Sequence, residues 1–429
     1  MRIVQLLAGA GGMYCGACAR DMALLRGLAA HGHDVFSVPL YTPLKPDDGP
    51  SAPMSGIYYG GLTVCLRQLS PVFDRLPVFL TNLLDRPRLL NLISKFAVRT
   101  QPSKLGALTV SVLAGKEGRQ RKDLEQLLAF LEGRPRPEVV HLTASLLSGL
   151  APSLKERLGA VVTCGLLGEE DFIARMAEPY RSQAHDWLRR NASAVDLYFA
   201  PSLENARAMR KYLAAPEEKV RMVRAGVDTD LFRIGETRPS RPFVIGYLGV
   251  VIPRKGLEVL AEAFARIAPR HPEAVLRVAG KVLDEPCREQ VRRRLAEAGL
   301  AGRCEFLGEV DTRTKVEFYQ RCNVFSQPSL FAEARGAAAV EALSCGAPLA
   351  VPDTGIFPEL LEETEGGELF ACGDALKLAA TLERFVGDPK RAAEIGRKGA
   401  LRVRRSFSAA KMVAATVDAW EELLRAKRR

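Results

Sequence analysis

No stretch of this 429-residue chain approaches the ~18 uninterrupted apolar residues that a membrane-crossing helix needs. The opening Met1-Arg2-Ile3-Val4-Gln5-Leu6-Leu7 is too short for a secretory leader and runs into glycines, so it reads as a first strand. Aromatic residues are scarce, 7% of the whole, and no basic run is interleaved with them. That argues against a binder of single-stranded nucleic acid. The nine cysteines are odd in number and scattered, a poor basis for a disulfide framework; they predict reduced thiols in a cytoplasmic protein. Cys15 and Cys18 have the spacing of a thiol–disulfide pair, but no second pair stands at zinc spacing, and the two read as structural.

What is present is globular composition, 47% hydrophobic and 26% charged, with a formal charge of +11. A cationic surplus suits anionic partners such as nucleotide diphosphates or acidic lipid headgroups. The length exceeds the ~250–300 residues at which a single core stops growing, so two domains are expected.

The pattern along the chain gives both of them. A strand over 2–8 meets Gly9-Ala10-Gly11-Gly12, a helix follows from Ala17 to Ala30, and a second strand runs from Val35 to Val38. Strand, glycine turn, helix, strand is a βαβ unit with a parallel sheet. Residues 41–140 are punctuated by prolines. Within them 73–99 mix apolar residues with arginines and lysines, the pattern of an acceptor-side subdomain or, alternatively, of a segment lying on a membrane surface. Buried strands return at Val139–Leu142, Ala160–Thr163 and Leu197–Ala200. The polar segment 233–241 reads as a linker. Beyond it, strands at 243–249, 274–279, 304–307, 323–327 and 348–351 alternate with helices at 256–268, 286–298, 313–320 and 336–344. A last amphipathic helix is expected over Phe407–Leu424. The expected architecture is α/β with two doubly wound Rossmann-like domains facing a central cleft, where open α/β sheets bind ligands.

Two stretches carry chemistry. In Pro328–Pro348 a strand ends, Gly336 and a run of alanines open a helix, and Glu341 sits among Ala, Val and Leu. A helix start offers N–H groups and partial positive charge to a phosphate, and small residues allow close approach. A carboxylate on so apolar a helix needs a partner, and ribose hydroxyls are suitable donors. Glu333 just ahead of the helix is placed to meet a sugar ring. The second stretch, Gly246–Leu257, puts Lys255 before Gly256 at another helix start, where an ammonium acts as a point charge on a diphosphate.

These stretches resemble the retaining glycosyltransferases of family 4, the group 1 glycosyltransferases of GT-B fold. Glu333, Glu341 and Gly346-Ala347-Pro348 match its spaced glutamates and Gly-x-Pro. Gly249 through Gly256 match its Lys-Gly loop, Gly226-Val227-Asp228-Thr229-Asp230-Leu231-Phe232 its Gly-Val-Asp segment, and Gly32 to Val35 its Gly-His-Asp-Val. The resemblance covers nearly the whole chain and is diffuse between 41 and 140. It implies a 1–235 acceptor-side domain, a 241–405 nucleotide-sugar domain, and a 406–429 helix crossing back to the first.

It implies roles too. Lys255 holds the diphosphate, Glu341 the ribose and Glu333, the catalytic candidate, the transferred sugar. Gly336 and Ala337 give backbone N–H groups, Val310 borders the nucleobase, and Gly11 and Gly12 approach the donor phosphate. The implied reaction is metal-independent hexosyl transfer with retention, with no cofactor beyond the nucleotide-sugar donor and with a glycan, lipid-linked or small-molecule acceptor. Nucleic acid is not an expected partner. The expected location is the cytoplasm, with peripheral attachment at the inner membrane face as an alternative. Two departures stand out. Val250 takes the place of the family's diphosphate arginine, leaving Arg254 to reach in instead. The Thr163-Cys164-Gly165 region lacks the family's histidine, with Glu169, Glu170 and Asp171 nearby. These departures keep a non-catalytic nucleotide-sugar or glycan-binding homologue as the alternative. His141 at a strand end is a minor candidate for touching the acceptor.

Overall fold

Most of the strands are buried on both faces, the mark of parallel strands covered by helices on two sides. The computed structural model describes residues 1–8, 16–40, 102–236 and 241–429. Gly11, Gly12, Cys15 and the 73–99 segment lie outside them. The chain forms two units, Met1–Val223 together with Met412–Arg429, and Arg224–Lys411.

In the first unit, β1 (Arg2–Leu7), β2 (Asp34–Pro39), β3 (Val139–Leu142), β4 (Val161–Gly165), β5 (Leu197–Ala200) and β6 (Val220–Met222) form one sheet in the order β2-β1-β3-β4-β5-β6. Every pairing in it is parallel. Alternation sends Ile3, Leu7, Val139 and Val161 into one apolar layer with helix Gly16–Ala30 and with Met412, Val413 and Trp420 of the last helix. Val4, Leu6, Val140 and Val162 enter the opposite layer. Part of that layer comes from helices Pro102–Leu113 and Arg121–Glu132, within the stretch where the sequence promised little regularity. The second of these has Leu124, Leu127, Leu128 and Leu131 on one buried face.

In the second unit, β7 (Phe243–Leu248), β8 (Ala274–Ala279), β9 (Cys304–Gly308), β10 (Val324–Ser326), β11 (Leu349–Pro352) and β12 (Gly367–Phe370) form a parallel sheet in the order β12-β11-β10-β7-β8-β9. The order reverses between β7 and β10. Helix Leu257–Ile267 after β7 packs on one face and helix Ala337–Ser344 after β10 on the other. Loops leaving adjacent strands in opposite directions open a crevice at the carboxyl edge, the ligand position of such sheets.

The linker expected at 233–241 needs correcting: the units divide at Val223. The preceding segment is polar, but Val227 and Phe232 are buried in the second core. Ser344 Oγ donates a hydrogen bond to the Phe232 carbonyl, and the Val227 N–H donates to Phe407 O at 2.8 Å. The last helix runs Ala409–Arg428, and Trp420, fully buried, donates its indole N–H to Thr163 Oγ1 at 3.0 Å. Among the described residues no helix is long and apolar enough to cross a membrane.

Candidate functional site

The crevice between β7 and β10 is lined by the two loops that the sequence singles out. After β7 the chain makes a short turn, Pro253–Lys255, and Gly256 opens the next helix in the left-handed region at φ 72°. A β-carbon on Gly256 would lie 1.8 Å from the Pro328 carbonyl oxygen of the β10 loop. The two loops therefore touch backbone to backbone, and Leu330 N–H donates to Arg254 O at 2.9 Å. Only glycine allows both the conformation and the contact.

The charged side chains meet where the loops meet. Lys255 Nζ pairs with Glu333 Oε1. The same oxygen accepts from Ser329 Oγ at 2.7 Å and Gln327 Nε2 at 3.0 Å. Glu333 is 13% exposed. Burial alone would raise its carboxyl, but the Lys255 ammonium and the Lys255, Ser329 and Gln327 hydrogen bonds outweigh it and hold the pKa below the usual value. The Arg254 guanidinium lies 3.7 Å from the centroid of the Phe331 ring and the Lys255 ammonium 5.0 Å from it, so one aromatic face steadies two cations. Behind Glu333, Gly355 at φ 64° would put a β-carbon 2.4 Å from the Glu333 nitrogen, and Ile356 N–H donates to Glu333 O at 2.9 Å.

Gly336, at φ 55°, opens helix Ala337–Ser344, and no side chain caps that helix. An uncapped helix start with small residues leaves its first-turn amides open to an anion. The crevice thus holds two cations, a paired carboxylate and a helix N-terminus within one carboxyl edge. Such a set can hold a diphosphate and present a carboxylate to hydroxyl groups.

The structure brings Lys255, Arg254, Glu333, Gly336 and Ala337 to this edge. Glu341 sits one turn further along the helix, and its two oxygens are already engaged: Oε1 by Lys315 Nζ at 2.9 Å and Oε2 by Tyr319 OH at 2.9 Å. Val310, just before the helix that carries Lys315 and Tyr319, packs partly buried against the second unit's core, the cluster that includes Ala339 and Val340. Val250 carries no charge, and its carbonyl accepts the Tyr247 hydroxyl at 3.1 Å.

His141 is corrected from acceptor candidate to core residue. It is 2% exposed, bonded to Thr163 Oγ1 at 3.0 Å, and 5.6 Å from the Phe199 ring and 5.8 Å from the Trp420 ring. Burial, with nearby Arg20 adding, pushes its pKa down to about 3. Glu169 is not solvated either: its carboxylate accepts the Ser145 N–H at 2.8 Å and the Leu167 N–H at 2.6 Å. Glu170 lies beside Asn205, and burial pushes its carboxyl up to about 7, with Glu169 and Asp171 adding to the rise and its own backbone N–H opposing it. Asp171 pairs at the surface with Arg175.

Ser329, Gln327, Phe331, Lys315 and Tyr319 are the site residues that the sequence argument missed. The first three stand inside the Gln327–Glu333 run and were open to notice. The other two lie on a separate helix, and a lysine there has no marker of burial.

Residues 228–402 match the family described as "Glycosyl transferases group 1". Over 36% of its length the chain is 31% identical to the phosphatidyl-myo-inositol mannosyltransferase of Mycolicibacterium smegmatis, a match spanning 38% of that protein. It is 28% identical over 73% of its length to D-inositol 3-phosphate glycosyltransferase 2 of Catenulispora acidiphila, spanning 80% of that one. Among solved structures it is similar to a sucrose-phosphate synthase from Thermosynechococcus elongatus, with a TM-score of 0.73 and 20% identity over 99% of this chain and 100% of that one. An Anabaena protein, HepE, in complex with UDP aligns at a TM-score of 0.67 and 15% identity over 98% and 100%. At such identities these structures establish the fold, GT-B, built from two Rossmann-like units.

Proposed function

We propose, from the match of residues 228–402 to the glycosyl transferases group 1 family, that the protein transfers a hexose from a nucleotide-diphosphate sugar to a hydroxyl acceptor, with retention and without a metal ion. The observation that carries this reading is the pairing of Lys255 with Glu333, with Arg254 over the Phe331 ring, in the loops beside the uncapped start of helix Ala337–Ser344.

In this reading Lys255 and Arg254 face the phosphates. The amides of Gly336 and Ala337 add partial positive charge, Glu341 accepts from the ribose, and Val310 borders the base. Gly11 and Gly12 keep the phosphate-side role that the resemblance implies. The pairing of Lys255 with Glu333 has a further consequence. A bound diphosphate offers Lys255 a stronger partner and releases a Glu333 oxygen to the hydroxyls of the transferred sugar. During transfer the bond from the anomeric carbon to the phosphate oxygen breaks and a bond to the acceptor oxygen forms. The acceptor proton leaves with the diphosphate, and the cations stabilise the charge developing on that leaving group.

The test is a panel of UDP-, GDP- and ADP-sugars assayed for hydrolysis and for transfer. The acceptors begin with D-myo-inositol 3-phosphate and with vesicles containing phosphatidylinositol, the chemistry in the names of the two relatives. Glu341→Ala should weaken donor affinity by about tenfold or more in calorimetry; unchanged affinity contradicts the site assignment. The second reading, a binding homologue without transfer, draws on Val250 and on the lack of a histidine after β4. Binding with neither hydrolysis nor transfer across the panel would favour it.

A further inference from the structure

Resting on the nucleotide-sugar reading above, we infer that Lys315, together with Tyr319, is a positioning residue that presets Glu341 to read the vicinal hydroxyls of the donor ribose.

Helix Thr312–Arg321 follows Val310 directly, and its start is fixed by Asp311, whose carboxylate accepts Thr314 N–H at 2.7 Å. Lys315 and Tyr319 lie four residues apart, hence on one face of that helix. Both reach Glu341 on a different helix, one to each carboxylate oxygen, at 2.9 Å apiece. A carboxylate offers about four acceptor positions. The two donors take one on each oxygen and leave one on each, a pair suited to the two neighbouring hydroxyls of a ribose.

The arrangement is costly to build and therefore informative. The Lys315 side chain is 10% exposed and that of Glu341 14%, and an ammonium so covered needs its partner. The Lys315 ammonium also lies over the Phe232 ring, 4.8 Å from its centroid. Tyr319 is fully buried. Burial, reinforced by the Glu341 carboxylate, drives its phenol well above the usual value, so it remains a donor throughout the working range of pH. Its ring is wedged against Phe325 at 5.4 Å and Phe318 at 5.9 Å. A surface glutamate needs none of this. A glutamate whose angle decides whether it meets two hydroxyls does.

The experiment uses the full chain. UDP, GDP and ADP are titrated by calorimetry, and the tightest binder is compared with its 2′,3′-dideoxy counterpart. Wild type should prefer the ribonucleotide by about tenfold or more. Lys315→Met and Tyr319→Phe should shrink that ratio towards one while leaving the affinity for the dideoxy compound unchanged. Lys315→Arg should restore part of the ratio. A purely structural role would lower both affinities together, with a fall in the melting midpoint. That outcome, or an intact ratio in both variants, overturns the inference while leaving the donor site standing. Failure of wild type to bind any of the three nucleotides overturns the nucleotide-sugar reading itself, and the inference with it.

Discussion

At the carboxyl edge of the first sheet, where β1 adjoins β3, Arg20 binds Asp21 and also donates to the Thr143 carbonyl, while Thr143 Oγ1 donates to Asp21 at 2.7 Å. Glu169 next to them is spent on the backbone N–H groups of Ser145 and Leu167. At the matching edge of the second sheet, where β7 adjoins β10, Lys255 pairs with Glu333 across two loops, Arg254 lies over the Phe331 ring, and the neighbouring helix start has no side-chain cap. Both edges lie at a reversal of strand order, and both carry charge. Among the described residues, the first edge spends these charges on its own helix and loops. The second keeps a pair that an incoming diphosphate can reorganise, beside amides with no side-chain partner.

The largest effect should come from the first edge. Asp21 is 1% exposed, and Asp21→Ala strands the Arg20 guanidinium, so it should lower stability by about 3–5 kcal/mol in denaturant unfolding. The folded fraction should bind nucleotide as wild type does. Lys255→Ala should do the reverse, cutting nucleotide-diphosphate affinity by about a hundredfold while costing less stability, since Glu333 keeps Ser329 and Gln327. Equal losses of binding in these two variants would erase the contrast between the edges. Gly256→Ala, which must meet the Pro328 carbonyl and hold a positive φ, should destabilise the second unit by about 1–3 kcal/mol and weaken binding with it.

The smallest effect is one of pH. Glu170 is raised from 4.5 to about 7, so the folded state favours its protonated form. Its stabilising contribution is full below the unfolded value and fades as the pH rises through about 7. Glu170→Gln should therefore melt higher than wild type near pH ~8 and alike near pH ~4, without altering nucleotide binding. A gain at both pH values would mean that ionisation is not the cause.

The second sheet was legible because each of its main strands is an apolar run between helices of clear period, and because glycines mark the helix starts at Gly256 and Gly336. β12 was not, since Gly367-Glu368-Leu369-Phe370 is short and only Phe370 is buried. The unit boundary was misplaced because polar and glycine-rich residues around Val227 and Phe232 hid two anchors whose burial no local pattern announces. Lys255 and Glu333 could be named from their loops, but not their direct pairing, which joins residues 78 apart in sequence. Lys315 was illegible for the same reason: its meaning lies on another helix. His141 was misjudged because a histidine at a strand end looks the same whether it faces solvent or, as here, Trp420.

A structure of the full chain with its tightest-binding nucleoside diphosphate tests the central claim most directly. The phosphates should lie within hydrogen-bonding distance of Lys255 Nζ and of the amides that open helix Ala337–Ser344, with Glu333 released from the lysine. Phosphates bound anywhere else, with the Lys255–Glu333 pair undisturbed, would contradict it.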